Sequence, residues 1–304
     1  MTARSASAGS AGSVPAAERA ALPPGALAEL GRRFGVRAVG PVRSPWVGAT
    51  SSVVRLGDDL LVKVPHRDDA AVDACLTHAR VCPVLRRKGV LVPEILAVLT
   101  AGDLAPVPLV VSRFVPGSAL TPSDVRPGIW ADVGQQVALV HRTAPGEVPP
   151  GLRSFTQHPE VDPAVVAERL ADEGIVRPQT ATTVRGVRDR LVPAVLPDDS
   201  PVLCHGDLHA GNVIAQDGGL TGLIDLAGAG WLDAAWDFAA IPAPAVRPAL
   251  AGYAASGGRA GHLLERVAWC RFQLAVHRLA TSRRPDDAAS RAVGEVERLL
   301  GTPG

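Results

Sequence analysis

The stretch Val202-Leu203-Cys204-His205-Gly206-Asp207-Leu208-His209-Ala210-Gly211-Asn212-Val213-Ile214, followed by Gly222-Leu223-Ile224-Asp225, organises the reading of this chain. It sets an apolar run, a polar turn region, a second apolar run and an acid at the end of a third. The polar positions form H-x-D-x-x-x-x-N, with a further Asp eighteen residues after Asp207. Transfer of a phosphoryl group from a nucleotide requires such a set. One carboxylate orients the attacking hydroxyl and accepts its proton, while an amide oxygen and a second carboxylate hold Mg²⁺ against the phosphates. A lone D-x-x-x-x-N would be an ordinary loop cap. The His, the two Gly and the strand-borne Asp225, arriving in order, are much harder to obtain by chance.

Upstream, Ser52-Val53-Val54-Arg55-Leu56, the turn Gly57-Asp58-Asp59 and Leu60-Leu61-Val62-Lys63-Val64 predict a hairpin. Val72, Cys75, Leu76, Ala79 and Leu85 recur at helical steps, predicting a helix over 68–88 that Pro83 should kink or shorten. Apolar segments around Ile95–Leu99 and Pro108–Val111 predict two more strands, and Arg113-Phe114-Val115-Pro116-Gly117 a linker. Beyond it helical periodicity dominates. Trp130, Val133, Val137 and Val140 trace one helix ending near His141, and Leu263, Leu264, Val267, Cys270, Leu274 and Leu279 trace another. The expected organisation is a mobile Ala/Ser/Gly-rich tail over 1–20, a small mixed lobe over 21–112 that binds nucleotide, and a larger helical lobe over 113–304 that carries the catalytic loop and the acceptor site.

Hydrophobic residues make up 47% of the 304 positions, enough for a substantial core. Thirty-one basic residues against thirty acids argue against a nucleic-acid binder. No apolar run approaches the ~20 residues of a membrane span, and the first residues lack the apolar core of a secretory signal. Four scattered cysteines without a C-x-x-C pair suit a reducing cytoplasm. A cytoplasmic monomer is the expectation. Only Lys63 and Lys88 are lysines in a chain that otherwise uses arginine, so a lysine on a strand is informative.

At this point the sequence resembles the aminoglycoside and macrolide phosphotransferase family of small-molecule antibiotic kinases. The resemblance lies in His205-Gly206-Asp207-x-His209-x-Gly211-Asn212, then Ile224-Asp225, then Asp233 and Asp237 eight and twelve positions on. Leu232 and Ala234 depart from the family's usual residues there. The resemblance covers about residues 30 to 280. It implies an α+β, bilobal, protein-kinase-like fold with the nucleotide between the lobes. It makes Asp207 the catalytic base, Asn212 and Asp225 the Mg²⁺ ligands, and Asp233 and Asp237 structural braces. Lys63 would grip the α- and β-phosphates of ATP or, alternatively, GTP. Gly48, Thr50 and Ser51 would cover the phosphates, and Ser112 and Phe114 would offer backbone groups to the adenine edge. One part does not match: no Glu lies between Lys63 and Glu94 to pair with the lysine. Asp73 or His78 stands nearest to that role.

The expected acceptor is a small-molecule antibiotic. From residue 240 onward nine Arg face five acids, a net of +4 (9 − 5), which disfavours polycationic aminoglycosides as acceptors. Trp269, Arg271 and Phe272 are expected to wall the acceptor site. Tyr253-Ala254-Ala255-Ser256-Gly257-Gly258-Arg259 and His78-Ala79-Arg80-Val81 are most similar to macrolide phosphotransferases. Macrolides or another weakly charged antibiotic rank first; an aminoglycoside or a metabolite is the alternative. A protein kinase is disfavoured because little chain separates Asp225 from the next helix. An inactive nucleotide-binding module is the remaining class.

Overall fold

The computed structural model describes residues 22–36, 46–47, 50–154, 162–192, 201–259, 261–279, 282 and 284–300. The expected tail over 1–20 lies outside them, as does Gly48. Contacts divide the chain into two compact units, 1–83 with 93–114 and 84–92 with 115–304.

The first unit is built on a five-stranded sheet of β1 (Trp46–Val47), β2 (Ser51–Leu56), β3 (Leu60–Pro65), β4 (Ile95–Leu99) and β5 (Leu109–Arg113), in the order β1-β2-β3-β5-β4. Every pairing is antiparallel. The β2–β3 hairpin forms where alternation and the Gly57 turn predict it. Leu60, Val62 and Val64 point to one face, where they pack with Leu109, Val111 and Leu30 of helix α1 (Pro24–Arg33). On the opposite face Val110 packs against Cys75 and Ala79 of α2 (Asp69–Arg87). Lys63 pairs in register with Val110, and directly opposed residues share a face, so Lys63 lies on the side that α2 covers.

Helix α2 is not shortened at Pro83. It runs unbroken through Pro83 to Arg87. Proline removes one intrahelical hydrogen bond, but the buried side chains on either side of it, Val81, Cys82, Val84 and Leu85, hold the helix together. The boundary between the two units falls at this proline.

Residues 84–92 belong to the second unit because their backbone is tied there. The Leu91 N–H donates to Gln136 Oε1 at 2.8 Å, and the Leu91 carbonyl accepts from the Leu223 N–H at 2.7 Å. The second unit contains α3 (Pro127–His141), α4 (Pro163–Asp172), α5 (Pro178–Leu191), the short α6 (Trp236–Ala239), α7 (Ala243–Ala255), α8 (Leu263–His277) and α9 (Pro285–Leu300). Trp130, Phe238 and Phe272 are its largest fully buried side chains. Two small sheets carry the polar loops. One has the order β10 (Gly219–Leu223), β9 (Val213–Gln216), β6 (Ser118–Ala119), and the other β7 (Arg153–Ser154), β11 (Gly230–Leu232), β8 (Val202–Cys204). Among the described residues, no helix is long and apolar enough to cross a membrane.

Candidate active site

The catalytic-loop candidate spans the gap between β8 and β9, and Asp225 follows directly on β10. Three backbone contacts draw these segments together. Asn212 Nδ2 donates to the Asp207 carbonyl at 2.8 Å, which fixes the amide and leaves Oδ1 as its acceptor atom. The Ile224 N–H donates to the Asn212 carbonyl at 2.9 Å, placing Asp225 one residue from that contact. His205 joins the same two segments: its Nδ1 accepts the Asp207 N–H at 3.4 Å, so Nε2 carries the proton and donates to the Ile224 carbonyl at 2.9 Å. Asp207, Asn212 and Asp225 therefore sit on adjoining backbone of one unit. An amide oxygen and a carboxylate so placed suit a hard divalent cation.

Asp225 has φ 62 and ψ 63, a left-handed conformation that few side chains other than Asp and Asn tolerate. Such backbone persists only where the surroundings impose it, and it clusters at functional sites. Asp207 leaves 57% of its side-chain surface open. Even so, the loop walls displace enough water to push its carboxyl above the usual range, and the charge of Asp225 adds to this. His209, His205 and Arg153 oppose it. His209 Nδ1 accepts the Gly211 N–H at 3.0 Å, and its Nε2 stands 3.9 Å from Asp207 Oδ2.

The loop is held from beneath. Asp237, fully buried, accepts the N–H groups of His205 and Gly206 at 2.8 Å each and meets His141 Nε2 at 3.1 Å. Burial pushes the Asp237 carboxyl up, but the hydrogen bond and charge of His141, with help from His205 and the Gly206 N–H, outweigh it and hold the group below the usual range. His141 Nδ1 in turn meets the Tyr253 hydroxyl at 3.0 Å. Asp233 accepts the Ala235 N–H at 2.8 Å and pairs with Arg266 at 2.6 Å. Both acids are braces. Cys204 and Cys82 are buried, Cys204 Sγ 3.7 Å from His141 Nε2 and Cys82 Sγ 3.5 Å from His78 Nδ1.

The first-unit residues are placed as follows. Lys63 lies on β3, the middle strand of five. The Thr50 carbonyl accepts the His66 N–H at 2.8 Å, and Ser51 is buried where β2 begins. Ser112 is buried in β5, which has partners on both sides. The Phe114 N–H, expected to face adenine, is instead taken by the Asp59 carbonyl at 2.7 Å, with the Arg55 guanidinium 4.0 Å over the ring. The turn of the β2–β3 hairpin claims that donor. Asp73 is exposed, while His78 is buried with Nδ1 3.5 Å from Cys82 Sγ.

The acceptor-site expectations need correction. Phe272 is fully buried and Trp269 is 8% exposed. Arg271 turns inward: its Nη1 donates to the carbonyls of Ala239 and Ile241, and it pairs with Glu295. Burial lowers its pKa to about 10. Arg247 donates to the Leu299 carbonyl and Arg266 holds Asp233, so the net +4 is partly consumed inside the unit. Tyr253 braces His141, and Gly258 lies against its ring. These residues build the fold and carry no information on the acceptor. Periodicity could not separate a buried arginine from a lining one. Arg153, on a two-residue strand with no motif around it, also reaches this region and donates to the Gly228 carbonyl.

The architecture is the kinase-like α+β fold of the antibiotic phosphotransferases. The chain itself belongs to the phosphotransferase enzyme family, which its residues 42–297 match. Solved structures share the fold at low identity. The GDP and kanamycin complex of APH(2")-IIia superposes with a TM-score of 0.65 at 16% identity, covering 90% of this chain and 98% of that one. The streptomycin–ATP–APH(2")-IIa ternary complex gives 0.61 at 15%, covering 91% and 97%. Macrolide 2'-phosphotransferase MphH from Brachybacterium faecium, as apoenzyme, gives 0.56 at 22%, covering 88% and 98%. No curated protein matches the sequence.

Proposed function

We propose that this protein transfers the γ-phosphoryl group of a nucleoside triphosphate to a hydroxyl of a small-molecule antibiotic. The observation that carries this reading is the backbone-locked grouping of Asp207, Asn212 and Asp225. In it, Asp207 takes the proton of the acceptor hydroxyl, whose oxygen bonds to the γ-phosphorus as the bond to the nucleoside diphosphate breaks. The raised pKa of Asp207 makes its carboxylate a better proton acceptor than an ordinary surface Asp. Asn212 and Asp225 would hold Mg²⁺, which when bound neutralises phosphate charge. Lys63 is assigned to the phosphates, and Thr50 and Ser51 to their cover. The enzyme works in the cytoplasm, as a monomer.

Family membership and kinase-like neighbours on both antibiotic classes support the reaction class. Macrolides and aminoglycosides are the two arms of the acceptor test. A second reading, a nucleotide-binding module without turnover, draws on the absence of a Glu between Lys63 and Glu94 in the sequence.

The test is a coupled nucleotide-turnover screen, with ATP and GTP, against both antibiotic classes and nucleosides. Products are checked by mass spectrometry for the gain of one phosphate. Acceptor-dependent turnover supports the kinase, and its absence across the panel supports the module. Asp207→Ala should lower turnover on the order of 10²- to 10⁴-fold with the nucleotide KM unchanged. Wild-type turnover in that variant would overturn the assignment of the base.

A further inference from the structure

Arg153 occupies a slot made by glycines. It stands opposite Gly230 in the parallel pairing of β7 with β11. A Cβ added to Gly230 would lie 2.7 Å from Arg153 Cγ. A Cβ added to Gly206 or to Gly228 would lie 3.0 Å from Arg153 Nη2. Three positions without side chains thus leave room for one guanidinium. Its Nε donates to the Gly228 carbonyl at 3.0 Å and its Nη2 donates to the same oxygen. Gly206 immediately precedes Asp207, and Gly228 follows Asp225 by three residues. The two turns touch here without any intervening side chain: a Cβ on Gly206 would sit 1.9 Å from the Gly228 oxygen.

We propose that Arg153 is a positioning residue for the phosphotransfer reaction, clamping the turn after Asp225 onto the backbone before Asp207 and so setting the separation of the two carboxylates. This rests on the reading of the site given above. The geometry requires arginine. Two N–H groups of one planar fork converge on a single carbonyl, which an ammonium group does not reproduce. A guanidinium costs free energy to desolvate, and the slot does lower its pKa. The charges of Asp207 and Asp237 oppose that shift. The pairing of Gly230 with Cys204 and the bond of His205 to the Ile224 carbonyl hold the two segments alongside, and Arg153 adds the contact at the Gly228 carbonyl. A shift of about 1 Å in such a constellation can cost about 10²-fold in rate.

The experiment compares wild type with Arg153→Met, Arg153→Lys and Asp207→Asn. Met removes the cation at similar length, and Lys keeps a charge without the fork. Three measurements are made: kcat and KM for nucleotide, Mn²⁺ affinity in the presence of ADP by electron paramagnetic resonance, and amide exchange across 204–212 and 224–230. Arg153→Met should lower kcat roughly tenfold or more with nucleotide KM unchanged. It should also weaken Mn²⁺ binding and speed exchange in both segments. Arg153→Lys should show the same loss of kcat with nucleotide KM unchanged. If Arg153→Met fails to fold, Arg153→Lys carries the test. Wild-type kcat and exchange in the folded variants, with Asp207→Asn inactive, would overturn the positioning role and leave the phosphotransfer reading standing. An active Asp207→Asn would instead strike the reading itself.

Discussion

Gly206 shows how a single side chain decides whether the catalytic loop closes. Its φ is +79, and an added Cβ would collide with the Gly228 oxygen at 1.9 Å. Gly206→Ala is therefore expected to destabilise by about 3 kcal/mol or more, read as a lowered urea midpoint, because backbone strain and the clash act together. Asp237 gives a second residue-scale prediction, with a sign. Its folded pKa lies below the ordinary carboxylate value of about 4. The stability it contributes is fully present above that ordinary value and is lost as pH falls through the lowered one. Asp237→Asn should cost on the order of 3 kcal/mol at neutral pH and flatten the acid limb of a stability–pH curve. An unchanged acid limb would show that other carboxylates set it. At this scale, spacing brought Asp207, Asn212 and Asp225 forward as candidates, because the proposed chemistry needs fixed intervals across the β8–β9 loop and the end of β10. Arg153 was not legible, since it reaches Gly206 and Gly228 across 53 and 75 positions through a pairing only two residues long.

At the scale of elements, α3 and α7 pack backbone against backbone. A Cβ on Gly134 would lie 1.9 Å from the Ala249 oxygen, and one on Gly252 1.9 Å from the Ala131 oxygen. Neither glycine has positive φ, so the requirement is space alone. Helix propensity favours Ala over Gly by about 1 kcal/mol, yet the forced separation of two helices should outweigh it. Gly134→Ala and Gly252→Ala are each expected to lose about 2 kcal/mol or more in denaturant unfolding. A gain in stability would mean that the helices part at no cost. The hairpin of β2 and β3 and the helices α3 and α8 were legible because apolar residues repeat at period two or at three and four. The uninterrupted α2 was not, because Pro83 signals a break that buried packing overrides. The pairs β6 and β7 were also hidden: two residues have no period, and only their partners make them strands.

On the scale of the whole molecule, charge was the least reliable guide. The surplus arginines after residue 240 counted as a field over the acceptor, yet Arg247, Arg266 and Arg271 serve carbonyls and carboxylates within their own unit. Composition fixes net charge but not which charges are already paired. Nucleotide binding provides a cleaner global measure, since a ligand that binds only the folded state stabilises it by mass action. At 100 times its Kd, nucleotide should add about 2.7 kcal/mol, which for a chain of this size raises Tm by roughly 5 °C. Lys63 lies on the middle strand, on the face that α2 covers, and is assigned to the phosphates. Lys63→Ala at the same nucleotide concentration should lose most of that shift and raise the nucleotide KM. Asp207→Asn should keep the shift in full, because the proposed base would touch the acceptor and not the nucleotide. The two variants therefore separate binding from chemistry in one thermal measurement. A full shift in Lys63→Ala would remove this lysine from the nucleotide site, whereas a lost shift in Asp207→Asn would show that the loop, and not only the lysine, holds the nucleotide.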